Sequence, residues 1–189
     1  MPRTPSKPAR TVDDTADCAW WPVVVAVLVV PLAFAPFTAD VFMLLKLLVA
    51  TAATVAGWAA WFVAPRRVLP RPLVTVPVAV LLLVSLAATA FSSARATSLL
   101  GVYQRYGGVL PLTVFVAFAA LVVATTWERP ERIATIGLLL GAASVVVAGY
   151  ALLQRAGIDA FDFREASGGE VRFPGSTLGN SNFAGGFSR

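Results

Sequence analysis

Five apolar runs, each close to the length that carries a helix across a bilayer, restrict what this chain can fold into. They are 20–36 (WWPVVVAVLVVPLAFAP), 41–64 (VFMLLKLLVATAATVAGWAAWFVA), 72–91 (PLVTVPVAVLLLVSLAATAF), 109–126 (VLPLTVFVAFAALVVATT) and 132–153 (RIATIGLLLGAASVVVAGYALL). Hydrocarbon offers the backbone no hydrogen-bond partner, so a crossing segment must be a helix of about 20 apolar residues. Composition agrees, with 58% hydrophobic and 13% charged residues among 189, where soluble domains carry about 45–50% and about 25%. Mean hydropathy is +0.77. The expected fold is all-α: a polytopic transmembrane helix bundle of five spans plus the start of a sixth. Residues 1–19 read as a polar tail, 20–153 as the bundle, and 154–189 as an extracytoplasmic loop leading into that sixth span.

Several function classes drop out at once. The chain has no histidine, so it lacks the usual proton shuttle at neutral pH. Its single cysteine, Cys18, excludes an internal disulfide. No apolar run precedes Cys18, so it reads as an unmodified thiol rather than a lipidated one. The lead 1–19 is long, polar and carries three acids, unlike the short basic region of a signal peptide, so the first run is read as a retained helix. No metal-ligand spacing and no glycine-rich phosphate loop of the soluble kind is present, and nothing points to nucleic acid.

Basic residues in short loops set the orientation. Arg3, Lys7 and Arg10 in the tail, Arg66, Arg67 and Arg71 after the second run, and Arg129 and Arg132 after the fourth would share the cytoplasmic side, which puts the N-terminus there. The other loops still hold Arg95, Arg105, Arg155, Arg164, Arg172 and Arg189. Arginines that oppose the topology bias call for a reason, and an anionic ligand is one. Within the runs, Pro22, Pro31, Pro77 and Pro111 predict kinked packing, and Gly137 and Gly141 match the small-xxx-small pattern of close helix approach, read here as packing within the chain.

Three places can carry chemistry. Lys46 lies early in the second run, where it either snorkels outward or faces a cavity holding a lipid phosphate. Asp40 before it suits a helix N-cap. Arg105 stands between Tyr103 and Tyr106, ahead of Gly107-Gly108, in a loop that serves either as a general headgroup contact or as a specific phosphate site. Glycine pairs permit a tight turn into the membrane. The tail runs from Arg172 through Pro174, Gly175, Ser176 and Thr177 to Gly179-Asn180-Ser181-Asn182. Asn182 would cap a helix opening at Phe183, whose free N–H groups form an anion site beside an arginine. The alternative is an ordinary polar loop.

Taken together, LLGVYQRYGGVL, LLQRAGIDAFDF and RFPGSTLGNSNFAGG, in that order between spans, resemble the O-antigen ligase family, also called O-antigen polymerase/ligase-like. The most specific element is the series Arg172, Gly175, Thr177, Gly179, Asn180, Asn182 and Gly185, and the likeness covers roughly 20–187. The resemblance implies a many-helix bundle in the bacterial cytoplasmic membrane, with its active site on the outer face. It implies transfer of a glycan from a polyprenyl-pyrophosphate carrier to an acceptor, with no cofactor. Arg172, then Arg105, then Lys46 would bind the pyrophosphate, while Gly175, Gly179, Asn180 and Asn182 would shape the loop and cap. The family's large outer loop, with a further arginine and a histidine proposed as base, has no counterpart here. The expectation is therefore an N-terminal portion, inactive alone, with the missing half as a partner. A carrier for an anionic or lipid-linked solute and a non-catalytic membrane scaffold stand as rivals.

Overall fold

The computed structural model describes residues 18–34, 43–64, 72–102 and 106–158, with the side chains of 72–75 left aside. Among these residues the chain is helical, with no strand. The elements are α1 (Trp20–Leu32), α2 (Met43–Val63), α3 (Pro72–Ala90), α4 (Arg95–Leu100), α5 (Val109–Thr126) and α6 (Glu131–Arg155). All but the short α4 fall on the five apolar runs. Many of these residues are valines, whose branching favours strands in water. An apolar setting overrides that preference, because only a helix pairs every backbone group within one segment.

Three of the described helices, α2, α5 and α6, are long and apolar enough to cross a membrane. The 25 residues of α6 extend about 37 Å at the helical rise, against a hydrocarbon thickness of about 30 Å. The first run stops earlier than its apolar extent predicts. At 13 residues, α1 is only about 20 Å long. Its penultimate residue, Pro31, has no N–H to donate, and Ala33 turns to an extended conformation at ψ 126°. In α3 the described side chains begin at Val76, giving an apolar segment Val76–Ala90.

The prolines sort by position. Pro22 and Pro111 are the third residues of their helices, where the N–H has no intrahelical partner to lose. Neither needs to kink anything. Pro77 and Pro31 lie inside their helices and do remove a bond. Hydroxyls in the apolar stretches bond back to the preceding turn. Thr54 Oγ1 donates to Ala50 O at 2.7 Å, Thr89 to Ser85 O at 2.9 Å, and Thr126 to Val122 O at 2.8 Å. A polar side chain so satisfied can sit where water is absent.

Helix α5 is the hub. It packs on α1, α2, α3, α4 and α6, while α1 is wedged between α2 and α6. The core joins Val23 and Ala26 of α1, Ala50 and Ala53 of α2, Leu121 of α5, and Ala143 and Val147 of α6. Small residues let the helices approach, most closely at Gly57, where an added Cβ would overlap Leu121 Cδ2. Outward faces are apolar too. Leu83 and Val84 on α3, and Leu138, Val145 and Leu152 on α6, are all exposed. So much uncovered apolar area suits lipid, not water.

Three contacts fix which helix ends lie together. Trp20 at the start of α1 stacks on Arg132 at the start of α6, and Arg132 reaches Thr125 at the end of α5. Gly57, toward the end of α2, sits level with Leu121, toward the end of α5. One end of the bundle therefore gathers the starts of α1 and α6 with the ends of α2 and α5. The opposite end holds the start of α2, the loop before α5, and the end of α6. The glycine pair of α6 departs from expectation. Gly137 and Gly141 are exposed, and a Cβ on either would meet nothing within 4 Å. They do not mediate packing among the described residues, because α6 turns its Ala143–Val147 face inward instead.

Candidate functional site

The buried residues of α2, Ala50, Ala53, Thr54, Gly57 and Trp61, mark one helical face at spacings of three and four. Lys46 precedes Ala50 by one turn, so it continues this packed face toward the start of the helix. Its side chain is half-buried. Of the two sequence alternatives, this register fits a lysine on the bundle side better than one turned to lipid. Small residues beneath it bring α1 and α5 close, leaving the long lysine stem as the first bulky group on that face.

The loop ahead of α5 rises from the same end. Gly101 adopts φ 88° and ψ 176°, a conformation open in practice only to glycine. Its N–H donates to Thr97 O at 2.8 Å, ending α4. Tyr106 takes the left-handed conformation at φ 42°, and its N–H donates to Val102 O at 3.0 Å. The two strands of the loop then meet backbone to backbone. A Cβ on Gly108 would run into Leu99 O, Gly101 N and Leu100 C, whereas one on Gly107 would meet nothing within 4 Å. The expected Gly-Gly turn thus resolves into one required glycine, Gly108, and one open position. Its true partner is Gly101, which the sequence reading passed over. Tyr103, Gln104 and Arg105 lie between these pinched segments, outside the described residues.

The tail motif, with Arg172, Gly175, Gly179, Asn180 and Asn182, also lies outside the described residues, as does Asp40. What the structure does fix is where the tail departs. Helix α6 ends at Arg155, and Gly157 at φ 84° turns the chain at the Lys46 end of the bundle. Lys46, the base of the Arg105 loop and the root of the tail are therefore at one end.

The other end holds a cation that sequence reasoning treated only as a topology marker. Arg132 is buried, at 8% exposure. Its Nη1 donates to Thr125 O at 2.8 Å, and its guanidinium carbon lies 4.9 Å from the centroid of the Trp20 ring. A guanidinium taken from water needs such partners, and the carbonyl of the last turn of α5 and an indole face supply them. Nothing in the spacing of residues 20, 125 and 132 foretells that they meet. Elsewhere, Trp58 Nε1 donates to Ala117 O at 3.0 Å, and Trp58, Trp61 and Phe62 form an aromatic cluster with centroids 5.2–5.9 Å apart. The Trp58 bond ties α2 to α5 well away from the Lys46 end. Among the described residues no group of three or more histidine, cysteine or acidic side chains is placed to hold a metal.

Over the described residues, fold and surface together define a helical bundle with three helices long and apolar enough to cross a membrane. No family model matches the chain, and no curated protein or solved structure matches it.

Proposed function

We propose that this chain is the N-terminal part of an O-antigen ligase-like glycan transferase of the bacterial cytoplasmic membrane. It has five spans and a cytoplasmic N-terminus, and it binds a polyprenyl-pyrophosphate-linked glycan on the outer face. The observation that carries the reading is the convergence at one end of the bundle: Lys46 on the packed face of α2, the pinched base of the Arg105 loop, and the exit of the chain toward Arg172. The opposite end carries Arg129 in its short turn and Arg132 at the start of α6, which supports a cytoplasmic side there.

The chemistry asked of these cations is electrostatic. Breaking the bond between the glycan and the pyrophosphate leaves negative charge on the departing phosphate. Lys46, Arg105 and Arg172 would hold that group and stabilise its developing charge where water is scarce. The acceptor hydroxyl loses its proton to a base that none of these residues supplies. A carrier for lipid-linked solutes would use the same cations, but the sequence does not display the pair of corresponding broken spans that would favour it.

The test is glycan transfer in nanodiscs from an undecaprenyl-pyrophosphate donor, with the chain joined to the C-terminal half of a family member, alongside binding of the pyrophosphate lipid to the chain alone. Binding that falls at least tenfold in Arg172→Ala and Lys46→Ala supports the site. Full transfer by the Arg172→Ala protein would refute the site assignment, and absence of any pyrophosphate-lipid binding would refute the functional reading.

A further inference from the structure

Between α3 and α5 the chain makes a short excursion, 91–102, whose large apolar side chains are exposed. Phe91 is 92% exposed, Leu100 56% and Val102 60%. Leu99 is exposed beside them. Through α4 the excursion packs on α3 and α5.

Two observations say what covers it. The first is continuity. Val80, Val84, Ala87 and Phe91 recur at spacings of three and four along one exposed face of α3. Phe91 thus extends, without a break, an exposed and largely apolar face of α3. Leu110, in the first turn of α5 on the far side of the loop, is exposed as well. The second is hydrogen-bond closure. Ala94 N–H donates to Ser92 Oγ at 3.1 Å, and Ser98 Oγ donates to the same oxygen at 2.8 Å. Ser92 N–H donates to Thr89 O, Ser98 N–H to Ala94 O and Gly101 N–H to Thr97 O. With Ser92, Ser98 and part of its backbone bonded locally, the segment strands fewer polar groups on entering a water-poor layer, while Ser93 and Thr97 stay exposed. Arg95 is exposed on α4 and offers a fork of donors to lipid phosphates.

We propose that 91–102 is an interfacial foot, with Phe91, Leu99, Leu100 and Val102 set into the acyl boundary of the adjoining leaflet and Arg95 on anionic lipid phosphate. Such insertion reaches about 5–10 Å below the headgroups. It holds the base of the 101–108 loop at headgroup height, whichever ligand that loop serves. The inference stands independently of glycan transfer.

The experiment measures depth in nanodiscs with a nitroxide on the full chain in a Cys18→Ser background. Labels go at Leu100→Cys and Val102→Cys, with Leu83→Cys on lipid-facing α3 and Glu128→Cys in the α5–α6 turn as references. Collision with oxygen relative to a water-soluble nickel chelate should be several-fold higher at 100 and 102 than at 128, approaching the value at 83. Ratios at both positions equal to that at 128 would overturn the foot. Arg95→Gln should shift the label at 100 outward in nanodiscs containing phosphatidylglycerol but not in purely zwitterionic ones. An identical depth with and without Arg95 in the anionic discs would overturn the arginine–phosphate contact.

Discussion

Adjacent glycines in the loop before α5 should respond to the same substitution in opposite ways. Gly108 has φ −84° and ψ 179°, a conformation open to alanine, so any cost there is steric. Its added Cβ would lie 2.5 Å from Leu100 C and closer still to Leu99 O and Gly101 N, where ordinary contact is 3.4–4 Å. The obstacles are backbone atoms and cannot rotate away. Relief requires the 99–101 and 106–108 segments to part by about an ångström, an overpacking that costs about 1–3 kcal/mol. Gly107 faces open space, so alanine there only narrows the unfolded ensemble and stabilises by about 0.4–1 kcal/mol. The amide of Tyr106, bonded to Val102 O at 3.0 Å, reports on the pinch. Hydrogen exchange in nanodiscs should show it opening about 5- to 150-fold faster in Gly108→Ala, since about 1.4 kcal/mol is tenfold. Gly107→Ala should exchange no faster than the parent. Equal exchange in the two variants would refute the backbone-to-backbone pinch. Gly101→Ala, which adds conformational strain of about 1–3 kcal/mol to a similar overlap, should be at least as disruptive as Gly108→Ala.

Three other outcomes follow from the packing. Arg132→Ala removes a charged hydrogen bond to Thr125 O and the stacking on Trp20, and should cost about 2–4 kcal/mol. Thermal unfolding in nanodiscs would show this, with Arg132→Lys losing less because it keeps a charge. Trp58→Phe forfeits the bond to Ala117 O but keeps an aromatic ring beside Trp61 and Phe62, so the loss should be about 0.5–1.5 kcal/mol by the same measurement. Gly137→Leu and Gly141→Leu enter open space on α6 and replace a poor helix former, so stability should hold or rise by up to about 1 kcal/mol. A clear drop would show that this face is packed after all.

How far the sequence reached depends on the kind of constraint at each place. Helix positions were legible because hydrocarbon length and backbone hydrogen bonding act within one segment. The boundaries of α5, Val109–Thr126, coincide with its apolar run. The end of α1 was missed by a few residues, since apolarity continues past Leu32 while Pro31 and the turn at Ala33 end the helix. In the candidate site, Lys46 was legible as an ionisable group in an apolar run, but its place on the packed face depends on which side of α2 meets α1 and α5. Gly108 was read correctly as a turn glycine for an incomplete reason, because the atoms that require it belong to residues 99–101.

By itself, then, the sequence determined that the described segments are helical and roughly where five of their six helices run. Those properties follow from solvation and from periodicity along a single stretch of chain. Tertiary structure alone decided that Arg132 is clasped between Trp20 and Thr125, that Gly57 rather than Gly137 or Gly141 is the point of close approach, and that Lys46 continues the face of α2 that packs in the bundle. Each is a meeting of residues far apart in sequence. In an apolar chain almost every helix face is greasy, so the hydrophobic pattern cannot say which face turns inward. Shape complementarity between small and large side chains makes that choice.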